Sequence, residues 1–174
     1  SGATFRAQSD QGEMAEQMRI AMDQITRCIR QAGNDPLEAL AVPGVNPISS
    51  NHIQLNTDIT GSVPSGTGNP LESSGDPDGT LNSLYESVSF RQSGTDLLAD
   101  IGFGEEVLAE GISQLSFTYL DINGAPTMVP DDVARVQVTM VATTDRGDMR
   151  NNQLYSLTLQ SEVFVRSMTP NVIP

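Results

Sequence analysis

The stretch best furnished for chemistry is Ser74-Gly75-Asp76-Pro77-Asp78-Gly79-Thr80. It sets oxygen-bearing side chains at alternate positions ahead of a sharp glycine turn. That spacing matches the first half of an EF-hand loop, where alternate residues point the same way around a hard cation. Asp76 and Asp78, with Glu72 just upstream, form a calcium candidate. The bidentate acid that should close such a loop falls at Tyr85, and Glu86 stands one residue late. The bland reading is a solvated turn rich in Asp and Gly.

Catalysis has little to work with. His52 is the only histidine, and it opens a strand after Ser50-Asn51, where a solvated structural role fits better than general-base work. Cys28 is the only cysteine; it sits on an apolar helical stripe, as a buried, inert thiol would. One His and one Cys do not build a zinc site of the usual nitrogen and sulfur type. Neither Gly-x-Ser-x-Gly nor His-Glu-x-x-His occurs. Gly102-Phe103-Gly104-Glu105-Glu106 begins like a dinucleotide loop but lacks the third glycine, and it falls between strands with no helix following. The expectation is a protein that is not an enzyme and carries no organic cofactor, with calcium the one metal candidate.

Charge narrows the partners. Twenty-two acids against nine bases leave a net charge of −13, and all nine bases are Arg. Nucleic acid is an unsuitable partner because phosphate contacts need clustered cations. Anionic lipid surfaces are unsuitable for the same reason. The missing lysine removes P-loop, Schiff-base and Lys–Asn isopeptide chemistry. A single cysteine allows no internal disulfide.

The elements that must position these residues fall into two unequal parts. Ser1-Gly2-Ala3 reads as a scar of tag removal and is set aside. Residues 4–33 read as an amphipathic helix, the C-terminal half of a longer one. Met14, Met18, Met22, Ile25, Cys28, Ile29 and Ala32 recur at spacings of three and four. Gly33-Asn34-Asp35-Pro36 supplies the stop. Residues 34–174 read as a β-rich head forming one domain with the helix. Val42–Pro47 is expected to be a loop. His52–Ile59, Leu84–Arg91 and a short return strand around Leu97–Ile101 are expected strands. Gly61–Gly79 is almost pure turn chemistry, a long insert of the functional or mobile kind. Ile112–Leu120, Val133–Thr143 and Tyr155–Val165 alternate cleanly, so each buries one face and wets the other. The segment 145–148 is expected as an exposed loop. The fold class expected is α+β: one long N-terminal amphipathic helix on a twisted antiparallel sheet with long loops. No run of apolar residues is long enough to span a membrane.

A helix followed by an all-β remainder is the order of type IV pilin-like proteins. The chain resembles the globular part of type IV pilus minor pilins, most closely the PilW-like group, with the type II secretion pseudopilins of the GspJ group second. The segments that carry the resemblance are Gln24–Gly33 at the helix exit, Ile53–Asp58, Val88–Arg91 with Leu97-Leu98, Leu108–Tyr119, Asp132–Val138 and Leu159–Met168. Together they span most of residues 17–168. Each is a loose pattern, and their order supplies the specificity. The leader peptide, its processing site and the anchor helix are missing from these residues. The resemblance implies a pilin-like fold and a structural subunit that joins other minor pilins at the filament tip to prime assembly. It also implies an inner-membrane and periplasmic stage, reached only through the missing helix, and an extracellular pilus afterwards. A pseudopilin of a secretion tip complex, or a stand-alone adhesin or binding module, are the alternatives.

Overall fold

The computed structural model describes residues 2–35, 40–58, 81, 85–147 and 154–165. Among these residues, one helix, α1 (Gly2–Gln31), precedes eight strands. Its apolar stripe is buried as the spacing predicts. Met18, Ile25, Ile29 and Ala32 are fully buried, Met14 and Met22 nearly so, and Cys28 half-buried. Ala21 joins them; Ile20, one position away, is 54% exposed.

The helix ends where its glycine demands. Gly33 takes φ 79°, the left-handed region that costs glycine nothing. The Ala32 amide still reaches back to the carbonyls of Cys28 and Ile29. The Gly33 amide turns away, donating to Asn56 O at 2.7 Å, and the Asn56 amide donates to Gly44 O at 2.8 Å. The two glycines touch: a Cβ on Gly44 would lie 2.3 Å from the Gly33 Cα. A residue with a side chain at position 44 would therefore push the helix exit off the sheet.

The strands are β1 (Val45–Ser49), β2 (His52–Asn56), β3 (Ser87–Ser93), β4 (Asp96–Asp100), β5 (Glu105–Ala109), β6 (Ile112–Leu120), β7 (Arg135–Gly147) and β8 (Leu154–Phe164). They form two antiparallel sheets, β1-β2-β3-β4-β5 and β6-β7-β8. A short 3-10 turn, Pro130–Asp132, leads into β7. Helix α1 packs on β7 and β8 and touches β5. Its stripe meets Ile53, Phe90, Leu97, Leu115, Phe117, Val136, Val138, Met140 and Val163 in one continuous core.

The single sheet expected from sequence is therefore two, joined by a polar seam. Gln92 on β3 spans it. Its side-chain oxygen accepts from the Leu115 amide at 2.9 Å, and its side-chain nitrogen donates to Ile112 O at 3.1 Å. The Phe117 amide donates to Ser50 O, and the Tyr119 hydroxyl reaches Ser49 O and His52 O. These partners satisfy β6 along the side turned to the first sheet, so no strand pairs there.

Other boundaries also move. The Val42–Pro47 loop is in part strand β1; Pro47 fits because β1 is an edge strand with an irregular register between Pro47 and Ser49. Strand β2 stops at Asn56 rather than Ile59, because Asn56 turns its backbone to the helix exit. Strand β5 was not expected, because its run of exposed residues from Glu105 to Val107 carries no apolar alternation. Residues 145–147, expected as loop, extend β7, where Gly147 pairs with Leu154. The β6–β7 turn at Asp121–Gly124 stands as expected: Asp121 Oδ1 accepts the Asn123 and Ala125 amides, and Gly124 takes φ 84°.

Candidate functional site

The calcium candidate, Glu72 with Asp76 and Asp78, lies outside the described residues. Its foot is described. The Thr57 amide donates to Glu86 O at 2.8 Å, which draws together the two ends of the segment between them. Asp58 and Glu86 are both fully buried and both engaged. Asp58 is also clamped through its backbone to Asn34, whose Nδ2 donates to Asp58 O while Asn34 O accepts the Asp58 amide. Thr57 Oγ1 is buried with no hydrogen-bond partner among the described residues. Among those residues, no group of three or more His, Cys, Asp and Glu is placed to hold a metal.

His52 sits on the outer face of the five-stranded sheet, opposite Arg91 in register. Arg91 Nη2 donates to Glu105 Oε2 at 2.6 Å, and Arg91 Nε donates to Glu105 Oε1, a two-pronged clasp across β4. The Arg91 hydrogen bond holds the Glu105 carboxyl below its usual range. Partial burial lowers the His52 pKa, and the Arg91 charge lowers it further. The Glu105 carboxylate, already engaged by Arg91, pulls it the other way, but the balance lies below the ordinary value.

Burial raises the Cys28 thiol to about 11, away from the range of reactive cysteines. Burial also raises the Tyr119 phenol, which works as a hydrogen-bond donor across the seam. The Gly102–Gly104 segment is the turn between β4 and β5. Asp100 Oδ1 accepts the amides of Gly102 and Gly104, Phe103 stands 78% exposed, and a strand follows.

Two surface features remain. A cleft of about 140 Å³ opens at the helix exit between Gly33, Asp35, Leu40, Val45, Pro130 and Val133. On the second sheet, Arg135 is gripped by Glu162 at 3.0 Å and lies 5.6 Å from the ring centroid of the exposed Phe164. The β6–β7 connection beside it displays Ile122, Met128 and Val129. Exposed apolar tips on hydrogen-bonded turns suit protein contact more than turnover.

Compared with family models and with curated protein sequences, the chain matches none of them. Sequence reading found the helix stripe and placed Cys28 on it, where the thiol is half-buried. It missed Gln92 and the buried Asp58 and Glu86. Polar residues in short strands and loops carry no periodic signal, so only the fold reveals which of them are enclosed.

Proposed function

We propose that this chain is the pilin-like globular head of a minor pilin. It acts by assembly rather than by catalysis, joining other minor pilins at the tip of a type IV pilus to prime filament growth. The observation that carries this reading is the order and docking of elements. One long helix comes first and lays a single apolar stripe, Met14 to Ala32, on strands that all follow it. A helix held this way is a stiff stalk for a β-rich display surface. Two further features agree with it: the sparse catalytic inventory and the apolar tips on turns. Among the described residues no helix is long and apolar enough to cross a membrane. In this reading, membrane attachment before assembly belongs to an apolar segment ahead of the head.

Deletion of the gene tests the proposal. Surface pili and twitching should be lost or sharply reduced while folded exoproteins are still secreted, because a tip subunit acts through nucleation of the whole filament. Normal piliation with a secretion defect would replace this reading with the pseudopilin one. If both processes are intact, and the N-terminus of the protein from cells lacks about twenty apolar residues, the chain is a stand-alone binding module.

A further inference from the structure

The cleft at the helix exit combines two chemistries. Leu40, Val45, Val133 and Val165 give it apolar walls, and two carboxylates, Asp35 and Asp131, border it. At about 140 Å³ it approaches the roughly 150 Å³ that holds a benzene-sized guest. Its walls are set by hydrogen bonds already made. The Val165 amide donates to Ala134 O at 2.9 Å, and the Gly33 amide donates to Asn56 O at 2.7 Å. Asp35 Oδ2 accepts the Leu40 amide at 2.8 Å, which fixes that carboxylate at the edge of the cleft. Asp131 is exposed and, among the described residues, enters no ion pair. Val42 at the rim and Val129, next to Pro130, are exposed apolar side chains. The cleft is thus preformed, lined with apolar surface and negative at its border.

We propose that this cleft is the docking site for an arginine side chain of a basic partner protein. The methylene stem lies along the apolar walls, as the stems of long cationic side chains do. The guanidinium reaches the two carboxylates. Arginine suits a site with two acids better than lysine, because its planar fork offers five donors while an ammonium is a compact, strongly hydrated point charge. Arginine is also among the residues that anchor protein interfaces by filling pockets. The rest of the chain selects the same partner. A net charge of −13 draws a basic protein in and repels a second copy of this chain. Exposed ion pairs contribute little affinity, so stem burial holds the side chain and the two acids choose its type. The cleft lies at the end of a 30-residue helix, about 45 Å from Gly2. A partner seated there leaves the start of α1 clear. The inference goes beyond the pilin reading, since a stand-alone binding module could use the same cleft.

The test titrates the whole chain with N-acetyl-arginine methylamide and follows backbone amides by NMR. Saturable shifts should centre on Gly33, Val45 and Val133, with a dissociation constant in the millimolar range. The citrulline analogue has the same shape without the charge and should bind severalfold more weakly; the lysine analogue should also be weaker. Asp131→Asn should weaken the arginine probe severalfold. Asp10→Asn removes an equal charge from an exposed position on α1 and should leave binding unchanged. Shifts that never saturate in the tens of millimolar overturn the proposal. So does citrulline or lysine binding as tight as arginine, or an Asp10→Asn loss equal to that of Asp131→Asn. Arg166 follows Val165 in the sequence and lies outside the described residues. If the probe binds only after Arg166→Gln, the occupant is this chain itself and the partner is refuted. None of these outcomes bears on the piliation assay, so the two readings fail separately.

Discussion

At the scale of single residues, burial sets the chemistry. Thr57 Oγ1 is enclosed without a hydrogen-bond partner among the described residues, and a buried unpaired hydroxyl costs free energy. Thr57→Val keeps the shape and removes the group, so it should raise stability by about 1 kcal/mol, read as a higher denaturation midpoint at unchanged m-value. A lower midpoint would show that the hydroxyl has a partner after all. The Cys28 thiol moves from 9.0 to about 11. Two pKa units mean about a hundredfold less thiolate at pH 8 than in the unfolded chain. A thiol reagent should therefore modify native protein far more slowly than denatured protein. Equal rates would place Cys28 on a mobile surface. Glu105 is held below its ordinary value by Arg91. A carboxylate with a depressed folded pKa contributes stability above its unfolded pKa and loses it as pH falls through the folded one. Glu105→Gln should thus melt slightly lower than wild type at pH 7, and the gap should narrow as pH falls below the ordinary Glu value of about 4.3. Because Glu105 raises the His52 pKa, the same variant should lower it, measurable by NMR titration of the imidazole.

At the scale of elements, the helix offers an internal control. Ile25 is fully buried against the sheets, and Ile20 on the same helix is 54% exposed. Ile25→Asp strips apolar contacts and encloses a charge, a loss of about 3 kcal/mol or more against a total stability of about 5–15 kcal/mol. Ile20→Asp should change stability by no more than about 0.5 kcal/mol. Equal melting temperatures for the two variants would refute the packing of α1 on the sheets. Gln92 gives the seam between sheets a similar test, as one of several groups that bridge it. Gln92→Ala leaves the Leu115 amide and the Ile112 carbonyl without their partner. It should cost about 1–3 kcal/mol and speed amide exchange at Leu115 more than at the β7–β8 pairs.

At the scale of the whole molecule, charge opposes compactness. A net charge of −13 repels itself. The four ion pairs among the described residues are all at least partly exposed and stabilise weakly. Screening both, salt should therefore remove more repulsion than attraction. The melting temperature should climb as sodium chloride rises to about 0.5 M, where the Debye length has shrunk from about 10 Å to about 5 Å. A fall would mean that the ion pairs outweigh the net charge.

The sequence by itself determined what depends on local periodicity and on side-chain inventory. Spacings of three and four placed the helix stripe. Alternation placed the buried faces of Ile112–Leu120 and of Ala134–Ala142. Gly33 marked the helix exit, and the scarcity of His, Cys and Lys narrowed the chemistry. Tertiary structure alone decided the rest, because contacts between distant residues leave no period to read. Whether the strands make one sheet or two depends on Gln92, Ser50 and Tyr119 satisfying β6 from across the fold. Whether Pro47 may stand in a strand depends on that strand being an edge. Whether Asp58 and Glu86 are surface residues or buried ones depends on how the helix exit and the start of β3 close over them. Burial is set by the neighbours a residue meets, and those neighbours are chosen by the fold.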